Sequence, residues 1–273
     1  MQRILKRRRE LAGAAIALIA WLEVYGGLAL AFAPPAAPAA YLTAPAAASL
    51  ADYNSWASSW AGPYIAYDLV KGIAAGYPDG YFHPNRPLTR AQFAVLLDKA
   101  ALLGTYPDQD LAAVSAYQWQ QAGLSPTAVS LPSTDWYAAA VEALAARGIL
   151  HSTVGLDQPI TRLQAATWVG RLVRYQVYFR NDNYPPFVSQ FVLAHDPLHP
   201  LDEVPPPGFA DYSSTDPHYR SVWDAAVNWI VRGLPPATDS SHPYLDPGGV
   251  LTRAQGATLV YLFRAEMEAG PLP

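Results

Sequence analysis

Three times the chain repeats one five-residue phrase: Leu88-Thr89-Arg90-Ala91-Gln92, Ile160-Thr161-Arg162-Leu163-Gln164 and Leu251-Thr252-Arg253-Ala254-Gln255, with the arginines 72 and 91 residues apart. A phrase that recurs in this way marks one structural unit used three times, so the fold must be one that packs copies against each other. The phrase is a helix start. Threonine at the N-cap accepts from the N3 amide, and glutamine at N3 reaches back to the N-cap amide. The apolar residue before the threonine can staple to N4: well for Leu88 with Phe93, weakly for Ile160 with Ala165, and not at all for Leu251, which meets Gly256. Apolar helices follow each box, through Phe93, Val95, Leu96 and Leu97, through Trp168, Val169, Leu172 and Val173, and through Leu259, Val260, Leu262 and Phe263. None of this needs arginine at N1, where its charge opposes the helix dipole. Arg90, Arg162 and Arg253 therefore need another explanation, such as a bridge to a carboxylate on a neighbouring unit.

A second helix precedes each box and ends at a glycine stop: Lys71-Gly72-Ile73, Arg147-Gly148-Ile149 and Arg232-Gly233-Leu234. Each unit thus reads as helix, glycine cap, irregular connection and capped helix, which makes the chain mainly α. In the first copy the connection is Gly76-Tyr77-Pro78-Asp79-Gly80-Tyr81-Phe82-His83-Pro84-Asn85, where Pro-Asp-Gly is a strong turn signal.

Composition narrows the chemistry. With no cysteine in 273 residues, disulfides, thiol nucleophiles and Cys-ligated metals are excluded. Residues 1–10 carry a charge of +4, leaving 13 basic against 21 acidic side chains in the rest, and the only lysines there are Lys71 and Lys99. An acidic body of this kind is unsuited to a phosphate backbone, so no nucleic-acid partner is expected. The basic start, the apolar run from Leu11 to Phe32 and the Ala/Pro-rich stretch beyond it have the layout of an export signal, with cleavage sites after Ala31 or Ala39. The run is also about long enough for a membrane anchor, although Glu23 inside it favours the signal. No membrane contact beyond that segment is expected.

The residues of the first copy, Gly72-Ile73, then Gly76-Tyr-Pro-Asp-Gly-x-Phe-x-Pro-Asn85, then Leu88-Thr-Arg-Ala-Gln92, closely resemble the S-layer homology domain, whose usual box ends in Glu rather than Gln. The second copy keeps Asp135-Trp136, Gly148-Ile149 and the Thr-Arg box but has a shortened connection. The third runs from Phe209-Ala210-Asp211 to Phe263 with a connection rich in Pro and Ser. The resemblance implies three helix-loop-helix repeats in a pseudo-threefold spindle, with short extended segments in the connections. It divides the chain into a signal and Ala/Pro-rich segment at 1–39, repeats at 52–103, 132–174 and 209–268, and linkers at 104–131 and 175–208.

The same resemblance implies an exported cell-wall or cell-surface protein that binds a secondary cell-wall polysaccharide in grooves between repeats, often one bearing a pyruvate ketal. The alternative is a structural subunit of a surface layer that acts through contacts with other surface proteins or with itself. The candidate ligand residues are Arg90, Arg162 and Arg253 for a carboxylate, and Trp136 and Trp223 for a sugar face. Tyr77 could stand at the groove mouth; Asp79 is a turn residue first; Asp135 is a helix cap or a hydroxyl acceptor. Glutamine in place of the usual glutamate should leave the grooves more electropositive. No catalytic motif, cofactor or metal site is expected: Pro197 separates His195 from His199, and Asp108 and Asp110 lack further oxygen ligands. The 175–208 linker, with seven prolines and six aromatics, is expected to pack on the units or to serve self-association.

Overall fold

The computed structural model describes residues 39–103, 111–180, 209–228, 230–234 and 243–268. The export segment up to residue 38, the acidic pair at 108 and 110, His195, His199 and the linker from residue 181 to 208 lie outside them. Nine helices are present among the described residues: α1 (Pro45–Ala48), α2 (Tyr53–Trp56), α3 (Gly62–Val70), α4 (Arg90–Ala101), α5 (Ala116–Ala122), α6 (Ala138–Ala146), α7 (Arg162–Phe179), α8 (Tyr219–Val227) and α9 (Arg253–Glu268). The expectation of a mainly α protein holds. Extended pairing within the described residues is confined to isolated bridges, three of which join the boxes: Pro87 with Thr252, Thr89 with Pro159, and Thr161 with Val250.

The boxes begin α4, α7 and α9, and all three close as the sequence predicts. Thr89, Thr161 and Thr252 accept from the amides of Gln92, Gln164 and Gln255, whose side chains accept in return from the threonine amides. The apolar residue before each threonine also has a role that no single helix start implies. Leu88 donates its amide to the Leu251 carbonyl (2.9 Å), Leu251 donates to Ile160 (3.0 Å), and Ile160 donates to Leu88 (2.8 Å). Three backbone bonds thus form a closed ring about a pseudo-threefold axis, and the three side chains are buried there. A Cβ on Gly256 would lie 2.4 Å from the Leu88 Cδ2. Leu88 uses the space left by that glycine on the third unit, which is why the third box has no N4 side chain to staple.

The first helix of each unit packs on the box helix of the unit before it: α6 on α4, α8 on α7, and α3 on α9. The last of these joins the first unit to the third, so the interlock is cyclic. The α7–α8 crossing is the closest. A Cβ on Gly170 would sit 1.7 Å from the Ser221 carbonyl oxygen. Gly170→Ala is therefore expected to lower stability by about 1–3 kcal/mol, because backbone must move to admit one methyl group. A denaturant midpoint unchanged from wild type would contradict that crossing.

At the pole opposite the boxes, two arginines meet the carboxyl end of α4. Arg180 donates to the Ala101 carbonyl (2.9 Å) and Arg264 to the Ala100 carbonyl (3.1 Å). Both satisfy carbonyls that the helix leaves open, and they favour its dipole. The spindle is thus tied at both ends between units.

Gly72 and Gly148 stop α3 and α6 with φ of 69° and 68°, a backbone region that glycine enters without strain. In these units Ile73 and Ala74 donate back to the Asp68 carbonyl, and Ile149 and Leu150 donate to that of Leu144. The third unit makes the same return earlier in its sequence, from Ile230 and Val231 to Ala225. Its helix ends at Val227, so Gly233 is not its stop; Gly233 enters a separate bridge between Leu234 and Tyr244. Helix α7 runs on to Phe179, past the expected unit boundary at 174. Tyr175 and Phe179, expected in the linker, are buried on this helix, with Phe179 against Trp119 of α5 (4.6 Å).

Candidate functional site

The first amides of each box helix point across a unit boundary. Arg90 N–H donates to the Gln158 carbonyl (3.0 Å), Arg162 N–H to Gly249 (2.8 Å) and Arg253 N–H to Arg86 (2.9 Å). The next amides do the same: Ala91 to Leu156, Leu163 to Pro247, and Ala254 to Pro84. Donors that a helix start leaves open are therefore used to hold the connection of the next unit.

The three arginine side chains follow the same path. Arg90 Nη1 donates to the Val154 carbonyl (2.9 Å) and Arg162 Nε to the Leu245 carbonyl (2.7 Å), eight residues before the next unit's arginine in both cases. Arg253 Nη2 donates to the Ala75 carbonyl, and its guanidinium lies over the rings of Tyr77 (4.2 Å) and Phe82 (4.6 Å). The partner of each guanidinium within the fold is thus a main-chain carbonyl of the neighbouring unit, where the residues suggested a carboxylate and the resemblance a ligand anion. Arg90 and Arg162 are half-buried, and Arg253 is buried. Burial pulls Arg162 and Arg253 below the usual guanidinium range, opposed by Asp246 and Asp211 around Arg162 and by Tyr77 beside Arg253.

The electrostatic surroundings of the three boundaries differ. Asp211 and Asp246 flank Arg162, whereas Arg253 has Arg86 as a neighbour across Tyr77, with Arg86 lying 4.8 Å from the same ring. Tyr77 is thus not a free groove-mouth aromatic. Its ring carries two cations, and its hydroxyl accepts from Gln92 Nε2 (2.9 Å). A glutamate at that position could not donate, and the Tyr77 hydroxyl would have to donate to it instead.

Asp79 acts in the turn. It accepts from the Tyr81 amide (3.0 Å) and pairs with His83 Nε2 (2.7 Å), contacts that hold its carboxyl below the usual range. His83 has φ of 56°. The equivalent positions, seven residues before each box arginine, are Gly155 (68°) and Asp246 (52°).

Trp136 precedes α6 and is 65% exposed. Trp223 lies within α8, half-buried, with its ring 5.5 Å from that of Tyr219. The two are not equivalent. The counterpart of Trp136 is Trp60, which stands eight residues before Asp68 as Trp136 does before Leu144, and which is 59% exposed. Asp135 does not cap α6, whose N-cap is Tyr137 with no side-chain cap bond; its carboxylate instead accepts from the Tyr137 hydroxyl.

Asp52 and Asp211 were missed by the sequence reading. Asp52 accepts from the amides of Phe82 (2.9 Å) and His83 (2.8 Å), and Asp211 accepts from Leu245 (2.7 Å) and Asp246 (2.8 Å). Each carboxylate fastens its unit's connection in front of the box. The signal was present, because Ala51-Asp52-Tyr53 recurs as Ala210-Asp211-Tyr212. The second unit has no such tripeptide; there Glu142 takes the Leu131 amide (2.7 Å).

Among the described residues no helix is long and apolar enough to cross a membrane, and no group of three His, Asp or Glu is placed to hold a metal ion. No curated protein matches the chain. A family comparison does find a match, at residues 49–94, which span α2, α3, the first connection and the first turns of α4. The family concerned is a binding and anchoring module of cell-wall and cell-surface proteins rather than a catalytic one. The matched stretch contains Asp52, Tyr77, Asp79 and Arg90, and the chain thus carries an S-layer homology domain in the first of its three copies.

Proposed function

We propose that the three-unit body anchors this protein non-covalently to a bacterial cell wall by binding an acidic secondary wall polysaccharide at the boundaries between units. The match of residues 49–94 to the S-layer homology domain carries this reading. The geometry supports it. Guanidinium groups recur at the same boundary position, where a carboxylate of the polymer can meet them with directed hydrogen bonds. Exposed tryptophans at Trp60 and Trp136 offer faces suited to a sugar ring. The Arg90, Arg162 and Arg253 side chains hold the connections in shape and supply positive charge beside them. Tyr77, Asp79, Asp135 and Trp223 set the surroundings of those positions.

The protein would then be exported and held at the cell surface. The expected result is co-sedimentation of the purified body with bacterial cell walls, lost when the wall polysaccharide is stripped before mixing. Trp60→Ala combined with Trp136→Ala is expected to weaken sedimentation at least about tenfold with little change in stability, because both side chains are exposed. Equal sedimentation with stripped and intact walls would defeat the reading and favour a surface-layer subunit that acts by protein contacts.

A further inference from the structure

The three seams between units differ at one buried position. The carbonyl that receives the two returning amides behind each first helix belongs to Asp68 in α3, Leu144 in α6 and Ala225 in α8, and all three residues are fully buried. Two seams thus bury an apolar side chain there, and beside Ala225 the α7–α8 seam adds a paired charge, Asp224 with Arg174 (2.5 Å). The α3–α9 seam, where the first unit meets the third, buries a carboxyl instead. Neither of its oxygens has a hydrogen-bond partner, and it lies close to Tyr67 of its own helix and Tyr261 of α9. A buried carboxyl with no partner is held in such a place as the neutral acid.

The groups that could meet its charge are committed elsewhere. Helix α3 is packed by α9, by α1 and by the turn Ala39–Thr43. From α9, Tyr261 lies 4.9 Å from each of the Tyr64 and Tyr67 rings, and Arg264 donates to Glu268 Oε1 (2.8 Å) and to the Ala100 carbonyl (3.1 Å). Glu268 also accepts from the Tyr67 hydroxyl (2.8 Å) and lies 3.8 Å from Lys71 Nζ. The turn brings Tyr41, edge-on to Tyr67, and α1 brings no titratable side chain. Arg232 faces Tyr64 from the third unit. Burial pushes Tyr64, Tyr67 and Tyr261 above their ordinary range, so they stay neutral beside Asp68.

Asp68 is also joined to a box boundary. Its carbonyl holds the amides of Ile73 and Ala74, and one residue on, the Ala75 carbonyl receives Arg253 Nη2. Movement at the end of α3 therefore shifts the segment on which Arg253 is held.

We propose that the α3–α9 seam is a pH-operated latch, closed while Asp68 keeps its proton and opened by its loss. In the open form α3 parts from α9 and Arg253 loses its hold on Ala75, while α6 and α8 stay packed. Opening brings the carboxyl to water, where it takes its ordinary value of 3.8 and ionises, so each opening releases one proton. The ratio of open to closed seams then rises about tenfold per pH unit above that value, until the closed seam itself loses the proton. Acid closes the latch, and rising pH opens it.

The test is hydrogen–deuterium exchange of the purified chain, read by mass spectrometry as protection factors so that the intrinsic pH dependence of exchange is removed. Between pH 5 and pH 7, protection in α3 and in the Tyr261–Glu268 end of α9 should fall by at least about tenfold, whereas that of α7 and α8 should change by less than about threefold. Asp68→Asn should abolish the fall in α3 and α9 and leave α7 and α8 as in wild type. Asp68→Leu, which copies Leu144, carries the same expectation and serves if the amide variant does not fold. Equal loss in all four helices would mean that the body opens only as a whole. That result overturns the latch, as does the absence of any fall in wild type, or a fall that persists in the folded variants.

Discussion

Arg174→Met is expected to cost about 3–5 kcal/mol of stability, the cost typical of breaking a buried ion pair by removing one partner. Arg174 Nε lies 2.5 Å from Asp224 Oδ2, and both side chains are almost fully buried between α7 and α8. Burial pulls Arg174 below the usual guanidinium range, with Asp224 opposing that shift. Its Nη1 also donates to the carbonyl of Gly123 (3.4 Å), which ties α5 to the same seam. Loss of the guanidinium removes this counter-ion from Asp224, which is buried at 0% exposure. The check is a urea melt of the single variants and of Arg174→Met with Asp224→Leu. The double variant should recover most of the loss, because it removes the buried charge as well. A single-variant loss below about 1 kcal/mol would mean that the seam is wet or open in solution.

Asp68→Leu should have the opposite sign. Asp68 is fully buried in α3, and neither carboxylate oxygen has a hydrogen-bond partner. Burial holds its carboxyl well above the ordinary value of 3.8. The linkage runs in one direction. Below about pH 3.8 both folded and unfolded chains hold the proton, and the group does not affect stability. As pH rises past that point the unfolded chain releases its proton while the folded one keeps it, so stability falls until the folded value is passed. Leu144 and Ala225 occupy the corresponding positions in the other two units, which shows that the fold accepts an apolar side chain there. The Leu variant is expected to gain about 1–3 kcal/mol at neutral pH. Asp68→Asn, which keeps the volume, should remove the same pH dependence. Thermal melts from pH 4 to pH 8 that run parallel for wild type and both variants would contradict the burial of this carboxyl.

The sequence revealed the parts of the fold that are local. Thr89, Thr161 and Thr252 specify their caps within four residues, and Gly72 and Gly148 specify their stops within five, so both were readable from spacing. The partners of Leu88, Ile160 and Leu251 were not, because each is some 70 to 160 residues away along the chain. A staple within one helix is what a linear reading offers; a ring across three helices requires the packed body. Gly233 misled for a related reason: an Arg-Gly-apolar triplet looks the same whether it ends a helix or enters a bridge. The arginines were correctly singled out as unexplained by capping. Their carbonyl partners carry no side-chain signature, so nothing in the residues could name Val154, Leu245 or Ala75.

The ring of amide bonds through Leu88, Ile160 and Leu251 also sets an order of events in synthesis. A chain leaving the ribosome presents the first unit long before Leu251, whose carbonyl receives the Leu88 amide, and before α9, on which α3 packs. Until then, Tyr64 and Tyr67 lack the Tyr261 ring, and Leu88 lacks the Leu251 carbonyl, that they meet in the folded body. The body cannot mature one unit at a time from its amino end, as separate domains do; its first unit is completed by its last. Such long-range closure makes folding slow.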